Sequence, residues 1–168
     1  MHIPDKPSEN ISYNTSQQQR FIADAMLGRL AKWLRIIGHD VIYEPFISDD
    51  ELIARALREN RIILSMDKKL LERKSAYNSL CIHSFDYKKQ LQQVILHYNI
   101  DTKKHVFTRC LQCNTILCPV KKEGIKDRVP SYVFSTHDTF EICKLCHRIY
   151  WPGTHRESMR QTLNKLFH

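Results

Sequence analysis

The sequence predicts an α/β fold in which a small parallel sheet with flanking helices is followed by a C-terminal metal-binding module. Between residues 20 and 100, short apolar runs alternate with segments of helical periodicity. Strands that alternate with single helices favour a parallel sheet with right-handed crossovers. Beyond residue 105 the pattern changes to two Cys-x-x-Cys pairs and a basic composition, which indicates a second, different unit.

Each element of the sheet region has a sequence reason. Apolar runs predict strands over 20–24, 39–45, 61–67 and 80–86. The first helix is indicated by apolar residues at i, i+3, i+7 and i+10 from Leu27 to Ile37, and Gly38 is typical of a helix C-terminus. The second helix begins at a capping box formed by Ser48 and Glu51. Two further helices are predicted over 68–79 and 87–99.

Composition divides the chain into three parts. Residues 1–19 contain prolines, polar residues and a glutamine run, which favours a flexible leader. Residues 20–104 hold the predicted sheet, and residues 105–168 hold the cysteine pairs and a C-terminal helix. Because no apolar stretch reaches the length of a membrane span and no signal pattern is visible, we expect a cytoplasmic protein with no membrane partner.

Aspartates follow all four predicted strands. Asp24, Asp67 and Asp86 end the first, third and fourth strands, and Asp49 and Asp50 follow the second. Parallel strands end on one side of a sheet, so these carboxylates are expected to converge there. Grouped carboxylates repel one another unless a cation neutralises them, and their oxygens suit Mg or Mn, which promote phosphodiester hydrolysis. Because Asp is also a favoured helix N-cap, a set of caps is the alternative interpretation.

The first predicted helix carries two further features. Gly28 interrupts it at a cost of roughly 1 kcal/mol relative to Ala, which a close approach to a substrate phosphate or to another element would explain. Arg29, Lys32 and Arg35 lie off the apolar face of the helix. These cations could bind nucleic-acid phosphates, or they could simply form a solvated face.

The segment "FIADAMLGRLAKWLRIIGHD", followed by "DDELIARAL" and "RIILSMD", resembles the Mut-seven-C family of PIN-like RNase domains. The resemblance covers residues 20 to about 155 and implies a PIN-like, metal-dependent ribonuclease. It matches Asp24 to the first family acid, Asp67 to the acid after the third strand, and Asp49 or Asp50 to the second acid. One departure is Met66, which stands where the family more usually has a cation, and this change would weaken a phosphate contact.

The cysteine pairs "CLQC" and "CKLC" predict a zinc site. Two such knuckles supply four thiolates to one tetrahedral ion, and with no open coordination position the zinc would be structural. The expected ligands are Cys110, Cys113, Cys143 and Cys146. Disulfides are disfavoured in the cytosol, and a duplicated motif fits a redox pair poorly. Between the knuckles, "DRVPSYVFS" is interpreted as strand material.

The C-terminal third suits a polyanionic partner. It carries six of the eight net positive charges, and nucleic acid is the commonest such partner, although solubility alone is an alternative. "RCLQCN" and "CKLCHRIYWPGTH" resemble the zinc ribbon of the same family. Arg148, Trp151 and His155 could contact RNA there, whereas a Tyr-Trp pair covering the ribbon core is the alternative.

Together these observations predict a metal-dependent ribonuclease with a zinc ribbon that aids RNA binding. The first alternative is a non-catalytic RNA- or ribosome-binding adaptor whose aspartates are only helix caps. The second is a phosphoacceptor domain of the receiver type, which lacks support because no lysine follows a fifth strand. The sequence leaves open the RNA substrate and any ribosomal or antitoxin-like protein partner.

Overall fold

The computed structural model describes residues 18–167, so the predicted leader lies almost entirely outside the described residues. Four parallel strands form one sheet in the order β2-β1-β3-β4. They are β1 (Arg20–Ala23), β2 (Asp40–Tyr43), β3 (Ile62–Ser65) and β4 (Ser79–Cys81). The predicted fold class is therefore confirmed. We call the side at which these strands end the carboxyl end of the sheet.

The helices of this region are α1 (Gly28–Ile36), α2 (Asp49–Glu59), α3 (Lys68–Leu71) and α4 (Tyr87–Tyr98). The predicted helix over 68–79 is wrong in extent, because α3 is a single turn and a separate 3-10 turn covers Lys74–Ala76. Residues 72–75 are all polar and offer no apolar face on which the helix could continue. No helix among the described residues is both long and apolar enough to cross a membrane.

Apolar packing covers both faces of the sheet. Phe21, Ala23 and Leu64 pack on one face with α1 and α4, and Ile22 and Ile63 pack on the other face with α2. This alternation follows from the two-residue period of a strand. Because both faces are buried, the strands can present functional groups to solvent only at their ends.

Two glycines allow close approaches that a side chain would block. A Cβ at Gly28 would lie 2.7 Å from the ring of Tyr43, whose hydroxyl donates to the Ala25 carbonyl at 3.1 Å. Of the two explanations offered by the sequence for Gly28, contact with another element therefore accounts for the glycine. Gly38 has a φ of 90° and lies against the backbone of His105. It ends the first helix as predicted and brings the C-terminal part close to the sheet.

Residues 105–153, here called the cysteine module, contain a second, antiparallel sheet. Its strands are β5 (Cys118–Val120), β6 (Phe140–Ile142) and β7 (Ile149–Tyr150), paired in that order. The strand expected at "DRVPSYVFS" is wrong, since this segment ends a 3-10 stretch and then forms α5 (Ser131–Thr136). Pro130 explains the difference, because its φ of −56° suits the start of a helix and its carbonyl accepts a hydrogen bond from Phe134.

The C-terminal helix returns to the first sheet. This helix, α6 (Thr154–Phe167), places the buried Leu163 in the same apolar cluster as Phe21 and Leu91. Phe107 of the cysteine module belongs to that cluster as well, and its N–H donates to the Ile36 carbonyl at 2.7 Å. Residues from both predicted domains therefore share one apolar core.

Candidate functional site

Asp24 and Asp67 are joined by Ser65 at the carboxyl end of the two central strands. The Ser65 hydroxyl donates to Asp24 Oδ2 at 2.6 Å, and the Asp67 N–H donates to Ser65 Oγ at 2.9 Å. The Asp24 N–H donates to the Leu64 carbonyl at 3.0 Å, which fixes the end of β1 beside β3. The chain leaves β1 and β3 in opposite directions, so these aspartates flank the switch point at which α/β sheets bind ligands.

Both aspartates also cap helical turns. Asp24 Oδ1 accepts from the Met26 N–H at 3.2 Å, and Asp67 Oδ1 accepts from the Lys69 N–H at 2.8 Å. Within residues 18–167, however, Oδ2 of Asp67 has no hydrogen-bond partner, and the residue is exposed. Capping therefore uses one oxygen of Asp67 and leaves the other accessible to a cation from solvent.

Asp49 and Asp50 are held by an arginine. Arg73 contacts Asp50 Oδ1 at 2.6 Å and Asp49 Oδ2 at 3.3 Å. The Asp50 side chain is 91% exposed and that of Asp49 is 47% exposed, so the geometry does not single out one of them. Among the described residues, no three carboxylates have oxygens within 4.8 Å of one another. Of the five aspartates expected at this end, Asp24 and Asp67 are thus linked through Ser65, and Asp49 and Asp50 are paired with Arg73.

Asp86 resembles Asp24 and Asp67 in its backbone contacts. It precedes α4, and its Oδ1 accepts from the Lys88 N–H at 3.0 Å. It follows the outer strand β4, away from the bridge that Ser65 makes between the central strands. Asp86 is therefore a natural reference for an aspartate that caps a helix at the same end of the sheet.

The three cations of α1 have different environments. Arg29 and Lys32 are exposed, and the Arg29 guanidinium lies 4.0 Å from the centre of the Tyr87 ring. The expectation that Arg35 lies on the open face is wrong. Arg35 is buried, and its guanidinium donates to the carbonyls of Val41 and Leu111 at 2.8 and 2.9 Å. It connects the first sheet to the cysteine module and is not accessible to a phosphate.

Arg35→Met is therefore expected to lower the free energy of unfolding by roughly 3 kcal/mol, because it leaves buried carbonyls without a charged donor. Thermal and denaturant unfolding of the full chain would measure the change. The matched control is Arg29→Met on the exposed side of the same helix, for which we expect a change within about 0.5 kcal/mol. Equal stability of the two variants would refute the structural role of Arg35.

The four predicted cysteine ligands lie together. Their sulfurs are all within 4.8 Å of one another, and Sγ of Cys110 and Cys146 are 3.7 Å apart. A tetrahedral site with Zn–S bonds of about 2.3 Å would place its sulfurs about 3.8 Å apart. The N–H groups of Cys113 and Cys146 each point at the sulfur of the first cysteine in the same pair, at 3.3 and 3.5 Å. The cluster could therefore bind a structural metal such as zinc.

Both knuckles use the same turn. Asn114 and His147, the residues after each pair, have φ values of 67° and 58°, and their N–H groups donate to the carbonyls of Cys110 and Cys143. Asn114 also ties the first knuckle to the first sheet. Its side chain accepts from the Val41 N–H at 3.0 Å and donates to Asp40 at 2.7 Å.

Hydrogen bonding divides the thiols into easily and poorly ionised members. Burial opposes ionisation of Cys143, but hydrogen bonds from the Cys146 N–H and from Thr115 lower the pKa of Cys143 to about 6. Burial and hydrogen bonds from neighbouring thiols raise the pKa of Cys113 to about 12. A metal that binds all four must therefore displace protons, so its affinity is expected to rise with pH.

The candidate RNA contacts of the cysteine module are unequally accessible. Arg148 and His155 are exposed. Trp151 is half-buried and lines an apolar hollow of about 170 Å³ together with Leu117 and Met159. Of the Tyr-Trp pair that could cover the ribbon core, Tyr150 packs against the cysteine cluster, whereas Trp151 lines this hollow.

These features define an α/β protein with a four-strand parallel sheet and a C-terminal four-cysteine cluster consistent with a zinc ribbon. The model of the Mut7-C RNAse domain family matches residues 19–163, which include both the carboxyl end of the sheet and the cysteine cluster. The chain therefore belongs to the Mut7-C RNAse domain family, as its sequence resemblance predicted. No curated protein and no solved structure matches it. Family membership indicates a ribonuclease-related function.

Proposed function

We propose that this protein is a metal-dependent ribonuclease that hydrolyses RNA phosphodiester bonds at the carboxyl end of the first sheet. The observation that carries the proposal is the hydrogen-bonded line from Asp24 through Ser65 to Asp67 at the switch point of the sheet. Asp24, Asp67 and either Asp49 or Asp50 would hold Mg or Mn. Membership in an RNAse domain family supports the reaction class.

The chemistry of the donor side chains supports such an ion. Carboxylate oxygens are the ligands that Mg and Mn prefer, and Asp67 keeps one oxygen without a hydrogen-bond partner among residues 18–167. When bound, the metal would activate water and stabilise the charge on the phosphate. Ser65 orients the Asp24 carboxylate by donating to one of its oxygens, and the two capping bonds restrain both aspartates.

The third metal ligand in this proposal is Asp49 or Asp50, and both carboxylates contact Arg73. Asp49 or Asp50 would exchange part of its contact with Arg73 for the metal, and both are exposed enough to do so. Separate Asp49→Asn and Asp50→Asn variants would identify the ligand, because only loss of the ligand removes activity.

The cysteine module would aid RNA binding. Residues 101–168 carry six of the eight net positive charges, and Arg148 and His155 are exposed. Binding to phosphates releases counterions, so affinity for RNA is expected to fall steeply as salt rises.

The direct test uses the purified full chain, Mn and end-labelled RNA, with unpaired DNA of the same sequence as a second substrate. Wild type is expected to cleave RNA, and Asp67→Asn to be at least about 100-fold slower, because it removes a charge required for metal binding. RNA binding by Asp67→Asn should remain near the wild-type level. Cleavage by Asp67→Asn at the wild-type rate would refute the proposed site.

A specific observation supports a second candidate, a non-catalytic RNA- or ribosome-binding adaptor. Asp24, Asp67 and Asp86 all cap helical turns, and the remaining two aspartates have a partner in Arg73. Local structure can therefore account for each aspartate without a metal. In the same assay, an adaptor would bind RNA with salt-dependent affinity and would show no cleavage with Mg or Mn.

A further inference from the structure

We infer that the nucleic acid taken up at the carboxyl end of the sheet is an unpaired strand whose bases stack on Phe46 and Phe85. This inference rests on the proposed function and specifies its substrate class. The two phenylalanines would act as positioning residues on either side of Asp24 and Asp67.

The first observation is exposure. Phe46, in the connection from β2 to α2, is 99% exposed, and Phe85, in the connection from β4 to α4, is 85% exposed. Met26, in the connection after β1, is 65% exposed. A single exposed apolar side chain is ordinary. Here three of the four connections at one end of the sheet present a large apolar side chain to solvent, and this is the end that carries the aspartates.

The second observation is position. β2 and β4 are the outer strands, and Asp24 and Asp67 follow the two strands between them. Three strand spacings place the ends of β2 and β4 about 14 Å apart. A strand laid across this end of the sheet would therefore pass Phe46, then the aspartates, then Phe85. In a duplex the bases are stacked inside the helix, so only an unpaired strand can place them on aromatic rings.

The third observation is charge. Lys68 and Lys69 follow Asp67, Lys88 and Lys89 follow Asp86, and all four lysines are exposed. Lys88 and Lys89 lie in the first turn of the twelve-residue helix α4, where the helix dipole disfavours cations. Local structure therefore does not explain this pair, whereas the phosphates of a bound strand would. Aromatic rings with interspersed cations are the usual surface for single-stranded nucleic acid.

The test measures binding of a fluorescent unpaired RNA oligonucleotide to the full chain without added Mg or Mn, so that cleavage does not interfere. Phe46→Ala and Phe85→Ala are each expected to weaken binding at least about fivefold, the effect of losing one stacked base. The salt dependence should not change, because no charge is removed. The matched control is Tyr77→Ala, since Tyr77 is 78% exposed but precedes β4 at the opposite end of the sheet.

Two substitutions at one position separate stacking from general apolar contact. Phe85→Trp should bind the unpaired RNA as tightly as wild type, and Phe85→Leu should be as weak as Phe85→Ala. If Phe85→Leu binds the RNA like wild type, aromatic stacking does not hold the strand and the inference is wrong. Wild-type affinity in both alanine variants, or equal affinity of wild type for the unpaired RNA and its duplex, would also overturn it.

These outcomes are distinguishable from failure of the proposed function. Binding that depends on Phe46 and Phe85 without any Mn-dependent cleavage would reject the ribonuclease and support the strand site. Cleavage that is accompanied by binding independent of both phenylalanines would keep the ribonuclease and reject the strand site.

Discussion

Asp24→Asn is expected to abolish Mn-dependent RNA cleavage, with a rate at least about 100-fold below that of wild type. Loss of groups that merely support metal ligands already costs about 10- to 100-fold, and loss of a ligand should cost more. Asn keeps one oxygen, which can accept from the Met26 N–H, and its amide NH2 would face Ser65 Oγ as a donor, but it lacks the negative charge that a metal requires. The measurement is the cleavage rate of labelled RNA at saturating Mn.

The stability of Asp24→Asn distinguishes a metal ligand from a residue that only caps a helix. Asn and Asp cap helices about equally well, so the metal-free fold of Asp24→Asn should be at least as stable as that of wild type. Removing one charge beside Asp67 also relieves repulsion between the two carboxylates. Wild type should gain about 2.7 kcal/mol at a Mn concentration 100 times its dissociation constant, and the variant should gain much less.

Asp86→Asn is the matched control, because Asp86 also caps a helix at the carboxyl end of the sheet but lies in the connection that follows the outer strand β4. We expect it to retain both cleavage and the Mn-induced stabilisation. RNA cleavage by Asp24→Asn at the wild-type rate would mean that this carboxylate is a cap and that the proposed mechanism fails.

Local patterns were sufficient to predict the parallel sheet and the cysteine cluster. Apolar runs and helical periodicity indicate which residues of one element are buried. Because parallel strands end on the same side of a sheet, Asp24 and Asp67 are then expected at one end. The cysteine cluster could likewise be predicted because each Cys-x-x-Cys pair lies within four consecutive residues. Ser65 stands in the sequence at the end of a predicted strand, but only the register of β1 and β3 places its hydroxyl beside Asp24.

Features that depend on distant contacts were not predictable in this way. Arg35 lies off the apolar stripe of its helix, yet its partners include a carbonyl 76 residues away in the first knuckle. The segment around Pro130 has strand-like composition, but β5 pairs with Phe140–Ile142 instead. Leu163 packs with Phe21 in the apolar cluster of the first sheet. The spacing of apolar residues within α6 does not indicate this distant partner.

This shared core has a consequence for experiments on the cysteine module. Removing everything after residue 104 would delete Phe107 and Leu163 from the apolar cluster of the first sheet. It would also remove the knuckle carbonyls that accept from Arg35. A truncated chain would lose stability together with any RNA contact, so the role of the module is better tested by single substitutions in the full chain.

Cys143→Ser is expected to reduce bound zinc from one ion per chain to none and to lower the melting temperature by roughly 10 °C, since structural zinc contributes directly to folding free energy. Cys143 is fully buried, and Tyr150 of β7 packs against the cysteine cluster to which Cys143 belongs.

Cys118→Ser is the control for this experiment. Cys118 is a partly buried cysteine of β5 that does not belong to the four-sulfur group among residues 18–167. It should retain one zinc per chain and a melting temperature close to that of wild type. Metal analysis and thermal unfolding of the two variants therefore separate loss of a ligand from loss of any thiol in the module. Full zinc content together with an unchanged melting temperature in Cys143→Ser would show that these cysteines do not form a zinc site.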